Sequence, residues 1–427
     1  MADESITGVN LEWPMNRTSR AFVVRVVEPD SYDPRSHMRI FNAVIQHMIG
    51  PQADQIIDTE DTQPQSSLEP FDLIVFPEAF VDSNALLAAL QAMSQAGSTG
   101  CIHVGLRPDD SEKTHLFCRQ QMIDLVERIR AVAFVVAQDL SAFSAWTNRQ
   151  KAEHFFNLGA IFAVDADRRL RICLHPKQVR SQYEFAALPE RHMTEADLLS
   201  VITLYPSNKL LRSVVLQPLI CSDFLRLPRD GGGVPPVHGV NVHAGKLVAR
   251  APDHIDVISV VACTPQPVAK EPPARRWQEK FLESFKDTQD AVVSRHNFAA
   301  VVVANFRNLA SRAPGGLSGA FLPIAIKSTA LHPSIMMTYY GRKDESSQNR
   351  WSEPQDDTNG WQNLGFVASL DALAEPATSP VRIFEFTIQR FPRDNAVWER
   401  RPPGLSNCVV SAATVEADGS LSFREVV

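Results

Sequence analysis

Residues 71–107 read FDLIVFPEAFVDSNALLAALQAMSQAGSTGCIHVGLR, and this stretch decides the fold class. Its two apolar runs, 71–80 and 99–107, are typical of buried strands. Between them, residues 83–97 carry apolar side chains at helical spacing, and Ser83 is available as the N-cap. A strand, a helix and a second strand in this order predict a unit of an α/β fold.

The same alternation continues on both sides of this stretch. The predicted strands cover residues 21–29, 134–140, 157–175, 198–221, 254–265, 298–306 and 315–325. The predicted helices cover residues 38–50, 116–133 and 274–297. Two of the strand segments, 157–175 and 198–221, contain central turns that predict hairpins. This order favours one large α/β domain around a parallel or mixed sheet.

The last part of the chain has a different pattern. Residues 341–361 are polar and aperiodic, so we place the end of the main domain, 1–340, before them. The extension, 341–427, contains a strictly alternating stretch at 381–391 that predicts a half-buried strand. It is expected to end in a hairpin around VEADGSLSF (415–423).

Composition excludes several classes of function. The 427 residues include 42 basic and 49 acidic side chains, a net charge of −7, with no run of five like charges. This pattern is unlike that of nucleic-acid-binding proteins or of proteins that bind anionic membranes. No apolar stretch reaches the ~18 residues of a membrane span, and the acidic N-terminus is unlike a signal peptide. Six cysteines without a C-x-x-C pair are typical of a cytoplasmic protein with free thiols.

Metal and cofactor motifs are weak in this sequence. His238 and His243 lie in one loop-like segment without further ligands at metal spacing. The sequence contains no P-loop and no G-x-G-x-x-G. We therefore expect neither a metal nor a cofactor, and we expect the partner to be a small molecule.

Glu78 directly follows the apolar run LIVFP. Partial burial would raise the pKa of its carboxyl group toward the range of a general base. The alternative is a glutamate at the end of a loop that points to water.

Lys177 follows the apolar run RICLHP, and Glu184 comes seven residues later. An ammonium group held near carboxylates stays charged and can polarise a carbonyl oxygen. The alternative is an ordinary surface lysine.

Cys221 ends the apolar run VVLQPLIC and is followed by small and polar residues. This position is that of a nucleophile on a strand-to-turn elbow, with backbone N–H groups nearby to hold an oxyanion. The alternative is a buried structural thiol. Three other cysteines inside apolar runs are assigned to packing: Cys101, Cys173 and Cys263.

Glutamate, lysine and cysteine in this order resemble the Glu-Lys-Cys triad of the carbon–nitrogen hydrolase (nitrilase) superfamily. The resemblance extends to three passages: FDLIVFPEAF (71–80), FFNLGAIFAVDADRRLRICLHPK (155–177) and LQPLICSDFLRLP (216–228). It covers about residues 20–340. Ser222 departs from the family pattern, which has an aromatic residue after the cysteine, and His175 and Pro176 replace the basic residues before the lysine.

The resemblance implies an αββα sandwich, four-layered when dimerised, with a β-rich C-terminal extension. It implies that Cys221 attacks the carbon of a non-peptide C–N bond and that Glu78 accepts the thiol proton. Lys177 and the backbone N–H of Ser222 would stabilise the oxyanion. Glu184 would orient the lysine or the leaving group. The family favours amides over nitriles or carbamoyl compounds, and its members commonly form homodimers or larger homo-oligomers.

Several alternatives stay open at this point. Asp223 is expected to cap the turn after Cys221 rather than to act in catalysis. The loops at 108–116 and 186–198 are expected to shape the mouth of the pocket. The altered surroundings of Cys221 and the long extension also fit a nitrilase-like binding or signalling module without catalysis. A cysteine peptidase that uses His175 or His243 is a third alternative.

Overall fold

The structure, a computed structural model, describes residues 7–17, 19–49, 71–95, 97, 99–109, 114–181, 192–224, 255–263, 299–310, 313–314, 318–322, 337–340, 364–367, 379–388 and 405–425. Within these ranges the helices are α1 Pro34–Ile49, α2 Ser83–Ser94, α3 Arg119–Arg130 and α4 Ser141–Arg149. Single 3₁₀ turns occur at Ala137–Leu140 and Cys221–Asp223. The strands are β1 Thr7–Met15, β2 Phe22–Pro29, β3 Leu73–Val75, β4 Val81–Asp82, β5 Cys101–Arg107, β6 Leu116–Cys118, β7 Phe155–Val164, β8 Leu170–Pro176, β9 Leu198–Pro206, β10 Val214–Ile220, β11 Val257–Val261, β12 Ala300–Ala304, β13 Asn308–Ala310, β14 Ala313–Pro314, β15 Gly319–Leu322, β16 Met337–Tyr340, β17 Leu364–Val367, β18 Val381–Ile388, β19 Leu405–Val415 and β20 Leu421–Glu425.

Two large mixed sheets contain most of these strands. The first sheet has the order β1-β9-β10-β11-β12-β15-β17-β16. The second has the order β20-β19-β18-β2-β3-β5-β7-β6, with β8 paired to β7 and β4 to β5. Strands β2, β3 and β5 are parallel, as are β10, β11 and β12, whereas the hairpins β7–β8 and β9–β10 are antiparallel. The predicted α/β class with a mixed sheet is confirmed.

The main core lies between the two sheets. Val24 and Val75 of the second sheet belong to the same buried cluster as Leu216 and Val260 of the first. Alternate residues of the second sheet, such as Ile74, instead face helices α1 to α4 in a second cluster. The described residues therefore form a helical layer and two sheets. The predicted helix 274–297 lies outside the described residues.

The carboxyl ends of the central parallel strands meet at one edge of the sandwich. Ile220 at the end of β10 pairs with Val261 at the end of β11. Three residues after the end of β3, the backbone N–H of Glu78 donates to the carbonyl of Ala262, the residue after β11, at 3.3 Å. Segments that follow strands in both sheets are therefore neighbours at this edge, where α/β proteins commonly hold their sites.

Three local predictions of secondary structure or capping are wrong, for identifiable reasons. Residues 116–118, predicted as the start of a helix, form β6 instead, because they pair antiparallel with β7. Residues 134–140 do not form a strand, because Phe134 adopts a left-handed conformation (φ 67°) and the chain then enters the 3₁₀ turn before α4. The N-cap of α2 is Asp82 rather than Ser83, and its carboxylate accepts the Ala85 N–H at 2.8 Å. Asp82 therefore caps the helix in place of the expected Ser83, one residue earlier in the chain.

The C-terminal strands continue the second sheet. Strand β18 pairs antiparallel with β2 along its full length, from Val381 opposite Pro29 to Ile388 opposite Phe22. The buried Arg25 of β2 also binds Glu385 of β18 at 2.5 Å. The predicted half-buried strand and terminal hairpin are confirmed as β18 and β19–β20. The domain boundary before residue 341 and a role in oligomerisation stay predictions.

No helix among the described residues combines the length and the apolar character that a membrane crossing requires.

Two glycines face each other where β5 pairs with β7. Gly105 and Gly159 are direct partners in the register. A Cβ atom at Gly105 would lie 2.4 Å from the Cα of Glu78 and 2.5 Å from the backbone nitrogen of Ala79. A Cβ atom at Gly159 would lie 2.5 Å from Nε2 of His175. The segment that carries Glu78 therefore approaches β5 so closely that only glycine fits.

We predict that Gly105→Ala lowers the free energy of unfolding by about 2 kcal/mol or more, because the added methyl group meets backbone that cannot move aside. Gly97→Ala is the matched control, since nothing lies within 4 Å of its Cβ position. It should change stability by less than about 0.5 kcal/mol. Urea unfolding measures both variants, and equal stability of Gly105→Ala and the wild type would contradict the close approach.

A buried histidine pair joins the two sheets beneath the same edge. His103 Nε2 and His175 Nε2 are 3.0 Å apart, and His103 Nδ1 is 2.7 Å from the hydroxyl of Ser259 in the first sheet. Burial lowers the pKa of His175 to about 3. Burial and the neighbouring His175 also lower the pKa of His103 well below its usual value. Both rings are therefore neutral in the folded protein at physiological pH.

This pair makes folding sensitive to acid. Below pH ~6.5 the unfolded chain protonates His175 while the folded chain does not, so the free energy of unfolding falls as the pH falls. The loss from this residue amounts to about 2 kcal/mol between pH 7 and pH 5. We predict that the stability difference between the wild type and His175→Gln shrinks by this amount over that range. Carboxyl groups with raised pKa values act in the opposite direction, but they are common to both proteins. Parallel pH dependences in urea unfolding would contradict the prediction.

Candidate functional site

Glu78 lies in the turn after β3 and is held by both sheets. Its side chain is buried, and its N–H donates to Ala262 of the first sheet. In the second sheet, the Gly105 N–H donates to the carbonyl of Pro77 at 3.0 Å. The next residue, Ala79, has a left-handed backbone (φ 54°), which turns the chain sharply after the glutamate. The carboxylate therefore has a fixed position between the sheets.

Three donors bind the Glu78 carboxylate. Oε1 accepts from Nζ of Lys177 at 2.9 Å and from Nδ2 of Asn157 at 2.6 Å. Oε2 accepts from the backbone N–H of Cys263 at 3.0 Å. The side chains of Glu78 and Lys177 are only 5% and 1% exposed, so this is a buried ion pair. Such a pair is tolerated only when its hydrogen bonds are satisfied, and these donors satisfy most of the carboxylate.

Lys177 directly follows β8, and Asn157 fixes its backbone as well. The Lys177 N–H donates to the carbonyl of Asn157 at 2.8 Å, and its carbonyl accepts from the Ala196 N–H at 3.3 Å. Asn157 therefore binds the glutamate through its side chain and the lysine through its main chain. One residue thus sets the relative position of the two charged groups.

Cys221 is the first residue after β10 and opens the 3₁₀ turn Cys221–Asp223. Its backbone is left-handed (φ 45°), which is uncommon for a residue other than glycine. Its side chain is buried at the edge where β10 and β11 end. Non-glycine residues in such conformations cluster at functional sites, and a sharp strand-to-turn elbow is the geometry expected of a nucleophile.

Four hydrogen bonds involve the polar side chains of this turn. Asp223 Oδ1 accepts the N–H groups of Gln178 at 2.9 Å and Val179 at 2.8 Å. Its Oδ2 accepts the Ile220 N–H at 3.1 Å. The hydroxyl of Ser222 donates to the carbonyl of Val179. Burial raises the pKa of Asp223 to about 7, and the nearby Lys177 opposes that rise. The turn that carries Cys221 and the segment after Lys177 are therefore joined.

Glu78, Lys177 and Cys221 lie at one edge of the sandwich, and different contacts hold each of them there. Glu78 and Lys177 are in direct contact. Cys221 reaches the same edge through the bonds of Ser222 and Asp223 to the segment after Lys177. Asp223 caps the turn as expected, through Ile220, but it also binds across to Gln178 and Val179, which sequence reasoning did not foresee.

Some predicted residues lie outside the described residues: Glu184, His238 and His243. Within the part of the chain that the structure describes, no three His, Cys, Asp or Glu side chains are grouped to hold a metal ion.

Sequence reasoning missed two contributors. Asn157 is fully buried; it lies in the passage 155–177 that carries the family resemblance, but no role in the site was assigned to it. Cys263 was predicted to pack inside a strand, but it lies two residues beyond the end of β11, is half-buried, and donates its N–H to Glu78. Cys101 and Cys173 do lie in the core between the sheets, where burial raises the pKa of Cys173 to about 12.

An open cleft of about 490 Å³ lies beside the segment that follows Lys177. Phe155 and Met193 supply apolar lining, and Arg180, His192 and Glu195 supply polar lining. Phe155 lies two residues before Asn157 on β7, so the two side chains project to the same face of the sheet. Residues 192–195 belong to the predicted mouth loop 186–198, and they line this cleft. Its volume is within the range of small-molecule sites.

Comparison with known proteins adds no further evidence to this geometry. No model of a known protein family and no curated protein matches the chain. The interpretation of the site therefore depends on the contacts above and on the sequence passages that carry Glu78, Lys177 and Cys221.

Proposed function

We propose that this chain hydrolyses non-peptide carbon–nitrogen bonds through a thioester on Cys221, as a member of the carbon–nitrogen hydrolase superfamily. One observation supports this most: the buried ion pair of Glu78 and Lys177 lies at the edge where the Cys221 turn is bound. A base, a cation and a soft nucleophile at one point form the minimum set for acyl transfer by a cysteine.

We also propose the αββα sandwich of that superfamily as the architecture. The two packed sheets and the helices on the outer face of the second sheet fit three of its layers. The helix predicted at 274–297 would supply the fourth layer. A homodimer or larger homo-oligomer, and a cytoplasmic location, belong to the same proposal.

The first half of the reaction forms the thioester. A free thiol has a pKa of about 8.5 and needs a base near neutral pH. Of the roughly four lone-pair sites on the Glu78 carboxylate, the described residues bind two on Oε1 and one on Oε2, and we therefore assign the thiol proton to Oε2. The Cys221 sulfur attacks the amide carbon, and the C=O π electrons move to oxygen. Lys177 and the Ser222 N–H stabilise that oxyanion. The oxyanion then collapses, the C–N bond breaks, and the nitrogen leaves with the proton from Glu78.

The second half releases the acid. Glu78 takes a proton from water, the hydroxide attacks the thioester carbon, and the C–S bond breaks to return the thiolate, which recovers the proton. Glu184 would orient the leaving group or the lysine. The substrate is an amide in preference to a nitrile or a carbamoyl compound, by analogy with the superfamily. The cleft lined by Phe155, Arg180 and Met193 is suited to hold the part of the substrate that does not react.

A non-catalytic binding or signalling module is the second candidate. The observation in its favour is that Glu78 already accepts three hydrogen bonds, which occupy most of the carboxylate that would have to take the thiol proton. The cysteine peptidase is less consistent with the geometry, because Nε2 of His175 contacts His103 in the core between the sheets. His243, the other histidine of that alternative, lies outside the described residues.

We predict that the purified protein releases ammonia or an amine from members of a panel of small amides. Cys221→Ala should lower kcat/KM at least ~10³-fold because it removes the nucleophile. Lys177→Ala should lower it ~10²-fold or more because it removes the charge that faces the oxyanion. Cys118→Ser is the matched control, since this half-exposed thiol is the N-cap of α3 and takes part in none of the contacts described above for Glu78, Lys177 and Cys221. It should keep activity within about twofold.

Two outcomes would change the proposal. Full turnover by Cys221→Ala would show that the nucleophile is another group. The binding or signalling module would be favoured by three results together. They are no turnover of any amide, nitrile or carbamoyl compound, an inert Cys221 thiol, and tight binding of a protein partner.

A further inference from the structure

Asp223 is a buried carboxylate that the proposed reaction does not use. It is 1% exposed and lies two residues after the proposed nucleophile. Its hydrogen bonds do not stay within its own turn. Oδ2 binds Ile220 at the end of β10, and Oδ1 binds Gln178 and Val179, the two residues after Lys177. One side chain thus connects a strand of the first sheet to a segment of the second.

The hydrogen bonds that Asp223 accepts are stronger when its carboxylate is charged than those that a neutral side chain would accept. Hydrogen bonds that an ionised carboxylate accepts are roughly twice as strong as those between neutral groups. Burial raises the pKa of Asp223 to about 7 and the nearby Lys177 opposes that rise, so the carboxylate is mostly ionised above that pH, where a thiol titrates. The Ser222 hydroxyl adds a bond to the carbonyl of Val179 from the same turn. The turn of Cys221 therefore binds the backbone N–H groups of Gln178 and Val179 and the carbonyl of Val179.

We propose that Asp223 is a positioning residue that holds the Cys221 turn and the Lys177 segment in one fixed arrangement, so that the ammonium group stabilises the thiolate. This inference rests on the proposed function. Asp223 itself touches neither the substrate nor the reacting atoms. It acts through the two segments that it joins.

The direction in which the pKa of Cys221 changes when Asp223 is replaced separates a positioning role from a purely electrostatic or purely structural one. Among the residues that the structure describes, the charged groups at this turn are Lys177 and Asp223, with Glu78 bound to Lys177. If Asp223 acted only through its negative charge, removing that charge would favour the thiolate and lower the pKa of Cys221. If it positions Lys177, its loss moves the cation away and raises the pKa of Cys221. A purely structural role would lower stability and leave this pKa unchanged.

The test is the pH dependence of Cys221 alkylation by iodoacetamide in the full-length protein. Mass spectrometry of the peptide that contains Cys221 gives the rate separately from the other cysteines. The pH at which the alkylation rate is half its maximum, the midpoint, is compared, rather than the maximum rate at high pH, because looser packing alone would raise that maximum rate. For the wild type we expect a midpoint below the ~8.5 of a free thiol. For Asp223→Asn we expect a midpoint about one pH unit higher than that of the wild type.

Asp256→Asn is the matched control. Asp256 is also a buried carboxylate that accepts a backbone N–H, from Val215 at 2.9 Å, and it pairs with Arg212. It lies just before β11, at the opposite end of the strand from Cys263. Its substitution should cost stability but leave the Cys221 midpoint within about 0.2 pH units of the wild type.

Ser222→Ala keeps the test decisive if Asp223→Asn does not fold. It removes the bond to Val179 without changing any charge, and it should raise the midpoint by about half a unit. The positioning role is overturned if Asp223→Asn has a lowered or unchanged midpoint. If Asp223→Asn is unfolded, an unchanged midpoint in Ser222→Ala overturns it. A wild-type midpoint at or above that of a free thiol would instead overturn the proposed function, since Cys221 would then not be activated.

Discussion

The buried ion pair between Glu78 and Lys177 is the interaction on which the rest of the site depends. Two charges taken out of water cost several kcal/mol each unless their hydrogen bonds are replaced. Here Asn157 and the backbone of Cys263 supply the further donors to the carboxylate. These donors come from β7 in one sheet and from the end of β11 in the other. The ion pair is therefore stable only when both sheets are correctly packed.

This requirement explains several features that otherwise look unrelated. Gly105 lets the backbone of Glu78 approach β5, and the left-handed Ala79 turns the chain away after it. On the other side, the left-handed Cys221 ends β10 abruptly, and Asp223 binds its turn to the segment after Lys177. Strain in the backbone at both turns is balanced by hydrogen bonds in the surrounding chain. The result is an edge that carries a cation, a carboxylate and a thiol, the groups that the proposed acyl transfer needs.

Sequence reasoning was strongest where a side chain's environment follows from its neighbours in the chain. The run that becomes β3 and the hairpins β7–β8 and β9–β10 are local patterns, so their strands and the positions of Glu78, Lys177 and Cys221 at strand ends were predictable. Asn157 and the N–H of Cys263 were not, because their roles arise only when strands distant in sequence pack together. The strand expected at 134–140 failed for a different reason: the backbone of Phe134 leaves the extended region, which the apolar pattern does not reveal.

The central claim is that the Cys221 sulfur carries the acyl group during turnover. The most direct measurement is the mass of the peptide that contains Cys221 after the protein is mixed with an excess of a turned-over amide and quenched in acid within the first turnover. The account predicts that this peptide gains the mass of the acyl group and loses it again on treatment with hydroxylamine. An acyl group on another residue, or turnover during which Cys221 stays unmodified at every quench time, would contradict it.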